Sequence, residues 1–456
     1  MHESRKLLWM TSSPSFLLST LRDYSIMTTP LNPSNQPGTP DPDFGDQGTL
    51  TLHTLINDPE FVAVHLFKGI AGDSQGGTIF SAQMYRDDRY VYALGRMDER
   101  GELDMTFADR GLTFGNFVAK HSSAGGKLAV SQGGKIYMLG WSERADGWAD
   151  LVVACFDHNG KPDPAFGQNG RVIIPTPPDL ELHTDLSSIH VQPDNKLLIS
   201  PSYTSLSVSK PAIGVLLRLM PDGSSDTGFS NNGRWEFTLP DHPKSATAIG
   251  ACLSQGENII IAGHVQFGAQ KDDAVVARLS HDGQIDSSFG DRSLPGFHVV
   301  EAPGYATRFN ALIERSDGSL VGAGGANMSG EQQTAGLLVA LTPNGTPHQL
   351  FNNRKPLITR FDDAVDIGWV TALAMTENKF VVASGGRQST SIYLASFLPD
   401  GQPDRNFNGK GYTDLDSESQ SDPVVVTSGL GGRVVISANV LGLSPEGVGL
   451  ARRFYG

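Results

Sequence analysis

No stretch of this sequence approaches the roughly 18 consecutive apolar residues that a membrane-spanning helix needs, so no span is expected. Cysteine is nearly missing. Cys155 and Cys252 are the only two in 456 residues, and each sits in an apolar run (LVVACF, AIGACLS) where a small buried thiol is the ordinary reading. Two cysteines build no disulfide framework, which leaves the redox compartment open. Without a CxxC pair, no zinc site is expected either, because such a site takes about four ligands. Charge is also scarce: charged residues make up 18%, with a formal net charge of −14. That balance argues against nucleic acid, whose partners present Lys/Arg faces. There is no G-x-S-x-G, no H-E-x-x-H and no long amphipathic helical pattern.

What the chain has in abundance is Gly (52) and Pro (27), which suits many short strands joined by turns. The N-terminal MHESRKLLWMTSSPSFLLSTLRDYSIMTTP starts basic. However, Thr11, Ser12, Ser13, Pro14 and Ser15 interrupt the apolar core of about 7–15 residues that a secretory signal requires. Residues 1–36 therefore read as a disordered extension, and Met27 offers an alternative start. Without a signal peptide, the expected location is the cytoplasm, or outside it by a signal-independent route.

The segment 162-PDPAFGQNGRV-172 recurs. Centred on its aromatic, it appears at Phe44, Phe107, Phe166, Phe229, Phe289, Phe351 and Phe407, with spacings from 56 (Phe351 to Phe407) to 63 (Phe44 to Phe107). Six residues earlier stands Gly38, Gly101, Gly160, Gly223, Gly283, Gly345 or Gly401. Three earlier stands Asp41, Asp104, Asp163, Asp226, Asp286 or Asp404, with His348 the exception. Four later stands Gly48, Gly111, Gly170, Gly233 or Gly411, replaced by Ser293 and Lys355 in copies five and six. Asp accepts bonds from the N–H groups of a turn, and glycine supplies positive φ. A loop used at every repeat is a structural joint rather than a ligand loop.

Each repeat adds a hairpin, such as AVSQGGKIYMLG, IHVQPDNKLLIS or QMYRDDRYVYALG, then a third strand before the joint and a fourth after it. Four strands per repeat describe a propeller blade. The last repeat stops after three strands, at 447–454, while 37–54 holds a joint and a fourth strand with nothing before them. The expected architecture is an all-β, single seven-bladed propeller over 37–456, closed by an N-terminal strand completing the last blade and leaving no sheet edge. The D-x-x-F-G-x-x-G joint on a sixty-residue period resembles the bacterial Delta-60 repeat. The resemblance implies a bacterial β-propeller and supplies no catalytic residues.

In such a blade, the first-to-second and third-to-fourth connections share one face with the joints. The opposite face carries segments that differ in every unit, among them INDPEFVAVHLFKGIAGDSQ, SERADGWAD and IPTPPDLELHTD. A binding site belongs on the divergent face. Trp148 could stack on a sugar or anchor its loop. Trp369 and Arg308 precede innermost strands and either line the channel mouth or pack between blades. His183 and Asp185 could form a metal or acid–base pair, though two residues make no site. Two acid clusters, Asp362, Asp363, Asp366 and Asp416, Glu418, Asp422, could draw a basic partner or simply be solvated. DHNGKPD (157–163) imitates a calcium loop, and Ser224, Asp226, Gly228 and Ser230 imitate a sialidase Asp-box, but both fall inside joints. The expected function is a non-enzymatic binding scaffold for a protein or extended ligand. The alternative is a carbohydrate-binding propeller, lectin or glycan-processing enzyme. No cofactor or metal is expected, and a monomer is.

Overall fold

Turn chemistry fixes the repeating unit. In each of the six Asp-containing joints, one carboxylate oxygen accepts the backbone N–H two residues ahead, from Asp104 to Thr106 at 2.9 Å and Asp226 to Gly228 at 3.0 Å. The joint then turns back, with the Gly170 N–H donating to the Phe166 carbonyl at 3.0 Å and Gly111 to Phe107 at 2.7 Å. Copy five keeps this bond in an unexpected way. Three inserted residues carry the donor from Ser293 to Gly296 (φ +92°), whose N–H reaches Phe289 O at 2.8 Å. Copy six is shorter, and Arg354 donates to Phe351 O from a left-handed backbone (φ +66°).

The computed structural model describes residues 35–456 except 62–64, 74–75, 208–209, 268–270, 329–333, 362–366, 386–391, 416–420 and 441–446, and omits the side chains of 421–424 and 430. Met27 and the expected disordered extension, up to residue 34, lie outside the described residues. Strands pair into seven four-stranded antiparallel sheets, the blades of a propeller. The innermost strands are His65–Gly72, Ser123–Val130, Ser188–Val191, Thr247–Gln255, Tyr305–Glu314, Trp369–Ala374 and Ser421–Ser428. Thr49–Thr51 pairs with Val448–Phe454 in the register Thr49↔Arg452, so the chain start supplies the seventh blade's outer strand. The core lies between neighbouring blades: Ile313 and Val321 of the fifth pack with Phe380 and Tyr393 of the sixth. Among the described residues the only α-helix is Leu52–Ile56, capped by Thr51, and no helix is long and apolar enough to cross a membrane.

The first blade departs from the expected strand assignment. Its innermost strand is His65–Gly72, inside the segment read above as a variable loop. The hairpin QMYRDDRYVYALG therefore joins strands two and three rather than one and two, and its two-residue turn (Asp87, Asp88) lies on the divergent face. Turn length explains the difference. This blade alone pairs strands two and three through so tight a turn that its hairpin looks like the first hairpin of the others.

Neighbouring joints are stapled together. The N–H following each Phe donates to a carbonyl of the next blade: Gly45 to Arg100, Ala108 to Asn159, Gly167 to Asp222, Ser230 to Asp282, Gly290 to Asn344, Asn352 to Asp400 and Asn408 to Pro37, all at 2.7–3.0 Å. The acceptor immediately precedes the glycine six residues before the next Phe. That glycine must stay bare, because at Gly160 (φ +77°) a Cβ would come within 2.4 Å of the Phe107 ring.

The joint aspartate has a partner that the motif alone does not show. Eight residues before it, in the third strand, stand Arg96, Arg218 and Arg278, each with Nε 2.8 Å from the carboxylate, and Arg453 plays that role for Asp41 at 2.9 Å. The guanidinium also lies over the joint ring, 4.4 Å from the Phe229 centroid for Arg218. Where Cys155 and Ser396 replace the arginine, Lys135 and Lys379 reach Asp163 and Asp404 from the second strand side at 2.8 and 3.0 Å. In blade five Ala340 replaces the arginine and His348 the aspartate, so both halves of the pair are gone together. There Arg315 crosses to Pro399 O at 2.9 Å, as Arg278 does to Pro343 O at 2.8 Å.

The joint sets two expected costs. Phe229→Ala removes a fully buried ring and should lower unfolding free energy by about 3–5 kcal/mol. Asp226→Ala leaves the buried Arg218 without its carboxylate, also about 3–5 kcal/mol. Because both share Arg218, the double variant should lose less than the two losses combined in denaturant titration.

Candidate functional site

The innermost strands line a central channel, and in six of the seven a register shift interrupts the pairing, between Phe67 and Gly69, Gly125 and Leu128, Ile249 and Ala251, Phe309 and Ala311, Trp369 and Thr371, and Asp422 and Val425. A bulge puts two residues opposite one and re-aims a side chain that would otherwise enter the blade. Here the extra residues include Lys68, Lys127, Gly250, Asn310 and Val370, and all five line one cavity of about 150 Å³. At three of the bulges the preceding blade catches a displaced carbonyl. Asn439 Nδ2 donates to Phe67 O at 2.7 Å and Asn310 Nδ2 to Trp369 O at 2.8 Å, while Ser81 Oγ donates to Gly126 O.

Asp185 joins these residues. The connection from blade two to blade three brings it over the channel on the divergent face, where its carboxylate lies 3.4 Å from Lys68 Nζ. Burial pushes the Lys127 ammonium below its ordinary pKa, with the Asp185 charge partly opposing. His264 lines the same cavity, pushed down to about 4 by burial and then by the Arg308 charge, so its imidazole is neutral near pH 7. Cys252, with its thiol pushed up to about 12 by burial, is an inert neighbour.

The other expected positions scatter. Arg308 is exposed at the channel mouth and pairs with Asp272, Nε to Oδ2 at 2.5 Å. Trp369 is fully buried: its indole N–H donates to Thr359 Oγ1 at 3.1 Å and its ring packs on Phe361 and Phe397, so it holds blades five and six together rather than facing a ligand. His183 is half-buried in a backbone knot with Ser187 and Ser202, and the partner of Asp185 is Lys68 rather than this histidine. Trp148 is half-buried beside the Arg144, Asp146 and Asp150 ion pairs and does not line the channel cavity. Asp362, Asp363, Asp366, Asp416 and Glu418 lie outside the described residues. Asp422 pairs with Asn439 through its strand, and its side chain lies outside them too. Asp157 of the calcium-like stretch accepts the N–H groups of Asn159 and Lys161, as a turn former does. Among the described residues no three His, Cys, Asp or Glu side chains gather as a metal site.

Sequence reasoning missed Lys68, Lys127, His264 and Asn310. The available signal was a cation beside glycine within an apolar strand, as in HLFKGIAG and SAGGKLAV.

Residues 258–289, strands two and three of blade four and its joint through Phe289, match the family model described as a domain of unknown function (DUF5122) beta-propeller. Over these residues, part of one repeat, the chain is similar to a propeller family. None of the curated proteins compared with the chain matches it. Similar solved structures include a polysaccharide lyase at 10% identity, covering 84% of this chain and 90% of that one with a TM-score of 0.49. An ulvan lyase bound to a GlcA–Rha3S saccharide is 9% identical over 87% and 96% of the two chains, with a TM-score of 0.46. An intramolecular trans-sialidase from Ruminococcus gnavus, in complex with oseltamivir carboxylate, is 9% identical over 90% and 98%, with a TM-score of 0.39. These likenesses carry no argument about chemistry.

Two histidines give the fold an acid sensitivity of definite sign. His190 Nε2 accepts the Ser254 N–H across a blade boundary at 3.1 Å, and burial lowers its pKa to about 4, as for His264. Unfolded histidine takes up its proton near pH 6.5, so the unfolded state binds protons first. Stability should be flat above pH 6.5 and fall by a few kcal/mol in total as the pH drops from 6.5 to about 4. His190→Gln, which keeps an acceptor for Ser254, should flatten part of that slope in unfolding measured by pH series. A second loss, below about 3.8, belongs to joint carboxylates such as Asp163, held below the ordinary value by Lys135.

Proposed function

We propose that residues 37–456 form a Delta-60-repeat propeller of bacterial type that acts as a non-enzymatic binding scaffold, docking a protein or extended ligand on its divergent face. One observation carries the reading. All seven joints are locked by the same backbone bond to the next blade, leaving that face uniform. The opposite face opens into a channel mouth where bulges and Asp185 bring charged side chains together. A uniform face supplies rigidity, and divergent loops on a rigid frame supply recognition. Arg308, with 60% of its side chain exposed beside Asp272, stands at that mouth as a charged anchor.

A second reading has its own observation. Trp148 is half-buried on the divergent face next to Arg144 and Asp150, an aromatic flanked by hydrogen-bonding groups as in a sugar platform.

Cross-linking of the purified chain to proteins of its source cell, read by mass spectrometry, tests the scaffold. Cross-links should map to the divergent face, and Arg308→Glu should reduce capture roughly tenfold, the scale of an interface anchor. Lys161→Glu, on the joint face, should leave capture unchanged. Cross-links concentrated on the joints sink the proposal. Glycan-array hits lost in Trp148→Ala would replace it with the carbohydrate reading.

A further inference from the structure

We infer that the channel holds a binding site for a small organic carboxylate, clasped by Lys68 and Lys127 against an apolar floor, with Asp185 occupying the anion's place when the site is free. The inference deepens the scaffold reading and rests on the divergent face being the working face.

Three observations carry it. First, both lysines come from bulges, Lys68 in blade one and Lys127 in blade two, and both line the same cavity. A strand interior does not ordinarily spend two long cations on a channel wall, since ammonium groups taken out of water cost free energy unless paired. Secondly, pairing is incomplete. Lys68 has only 13% of its side chain exposed and meets Asp185 at 3.4 Å, a long contact to a carboxylate that is itself 42% exposed. Among the described residues no carboxylate stands within ion-pair distance of Lys127, and Asp185 reaches it only as a field that partly offsets its burial. Among the described residues, two ammonium groups and one carboxylate line the cavity, an excess of one positive charge, and the neutral His264 does not change that count. A monoanion balances it.

Thirdly, size and lining choose among anions. About 150 Å³ is below the roughly 300–1,000 Å³ of sites for drug-sized ligands, so what enters the cavity is small. Phe67, Ile249, Phe309 and Val370 make much of its wall apolar. Such a wall favours a ligand with a hydrocarbon body over inorganic phosphate, which would leave those side chains facing a hydrated anion. Asn310, whose Nδ2 is already spent on Trp369 O, keeps its carbonyl oxygen for a polar group on the ligand.

Asp185 then has a specific role. It competes with the ligand for Lys68, so binding requires the carboxylate to yield. Removing its charge while keeping its shape should strengthen binding, an outcome opposite to that expected for a residue contacting the ligand favourably.

The test is calorimetric titration of benzoate into the full chain at low ionic strength, with benzyl alcohol and inorganic phosphate as companion probes. Benzoate should bind at a single site and benzyl alcohol should not. Lys127→Met and Lys68→Met, which retain most of the apolar stem, should each weaken binding at least tenfold, and Asp185→Asn should tighten it severalfold. Lys127→Gln serves if the Met variant melts early, judged by thermal unfolding of each. The assignment is overturned if no benzoate binds, if either lysine change leaves it intact, if Asp185→Asn weakens it, or if phosphate binds as well as benzoate. Loss of benzoate binding with intact capture of partners at the divergent face removes the anion site alone. Capture confined to the joint face removes the scaffold reading instead.

Discussion

Everything else in the molecule depends on one hydrogen bond made seven times. The N–H after each joint phenylalanine reaches the carbonyl before the next blade's glycine, and it can do so only because that glycine leaves room for the ring. Side-chain charge reinforces the geometry without creating it. In blade six a lysine replaces the arginine, and in blade five the aspartate is lost altogether, yet the backbone bond persists in both. The repeated aspartate works on two sides: one oxygen shapes the turn and the other anchors a cation from the third or second strand. Burial alone would raise the pKa of Asp226, but Lys196, Arg218 and the Gly228 N–H hold it below the ordinary range. Below the ordinary range means ionised, as the cation requires.

Fixing one end of every blade leaves the other end free to vary. The bulges are the means by which this freedom reaches the channel. Each adds a residue to the channel-lining strand at the expense of regular ladder pairing, and at three boundaries the neighbouring blade satisfies a carbonyl this frees. Asn439, Asn310 and Ser81 do this. The channel's charged lining is therefore compatible with tight packing, because the polar atoms its bulges expose are absorbed in the wall.

Blade number, the closing strand and the joint were all legible in the sequence, because a loop under identical constraint in every repeat leaves an identical trace. In the sequence His348 was only the exception among the joint aspartates; beside Ala340 it is the loss of a pair whose two halves depart together. The channel was not legible for a physical reason. Bulge positions are set by how two strands pair, and spacing along one strand does not reveal them. Lys68 was hidden twice over, inside a bulge and inside a segment taken for a loop because the Asp87–Asp88 turn mimicked the first hairpin of the other blades. Asp185 was picked for its neighbour His183, yet its partner, Lys68, comes from two blades away. Trp369 drew notice as an aromatic near the mouth, and its indole turned out to be mortar between blades five and six.

The pairing of Thr49–Thr51 with Val448–Phe454 also sets a timetable. A ribosome delivers the outer strand of the last blade before any of the blade's other strands, then makes roughly 400 further residues, at about 5–20 residues per second, before its partner appears. For those tens of seconds the nascent polypeptide carries a strand with no mate and six blades with no boundary. Final closure is thus the contact of greatest sequence separation in the molecule, and by the entropy of drawing distant segments together it belongs among the slowest to form.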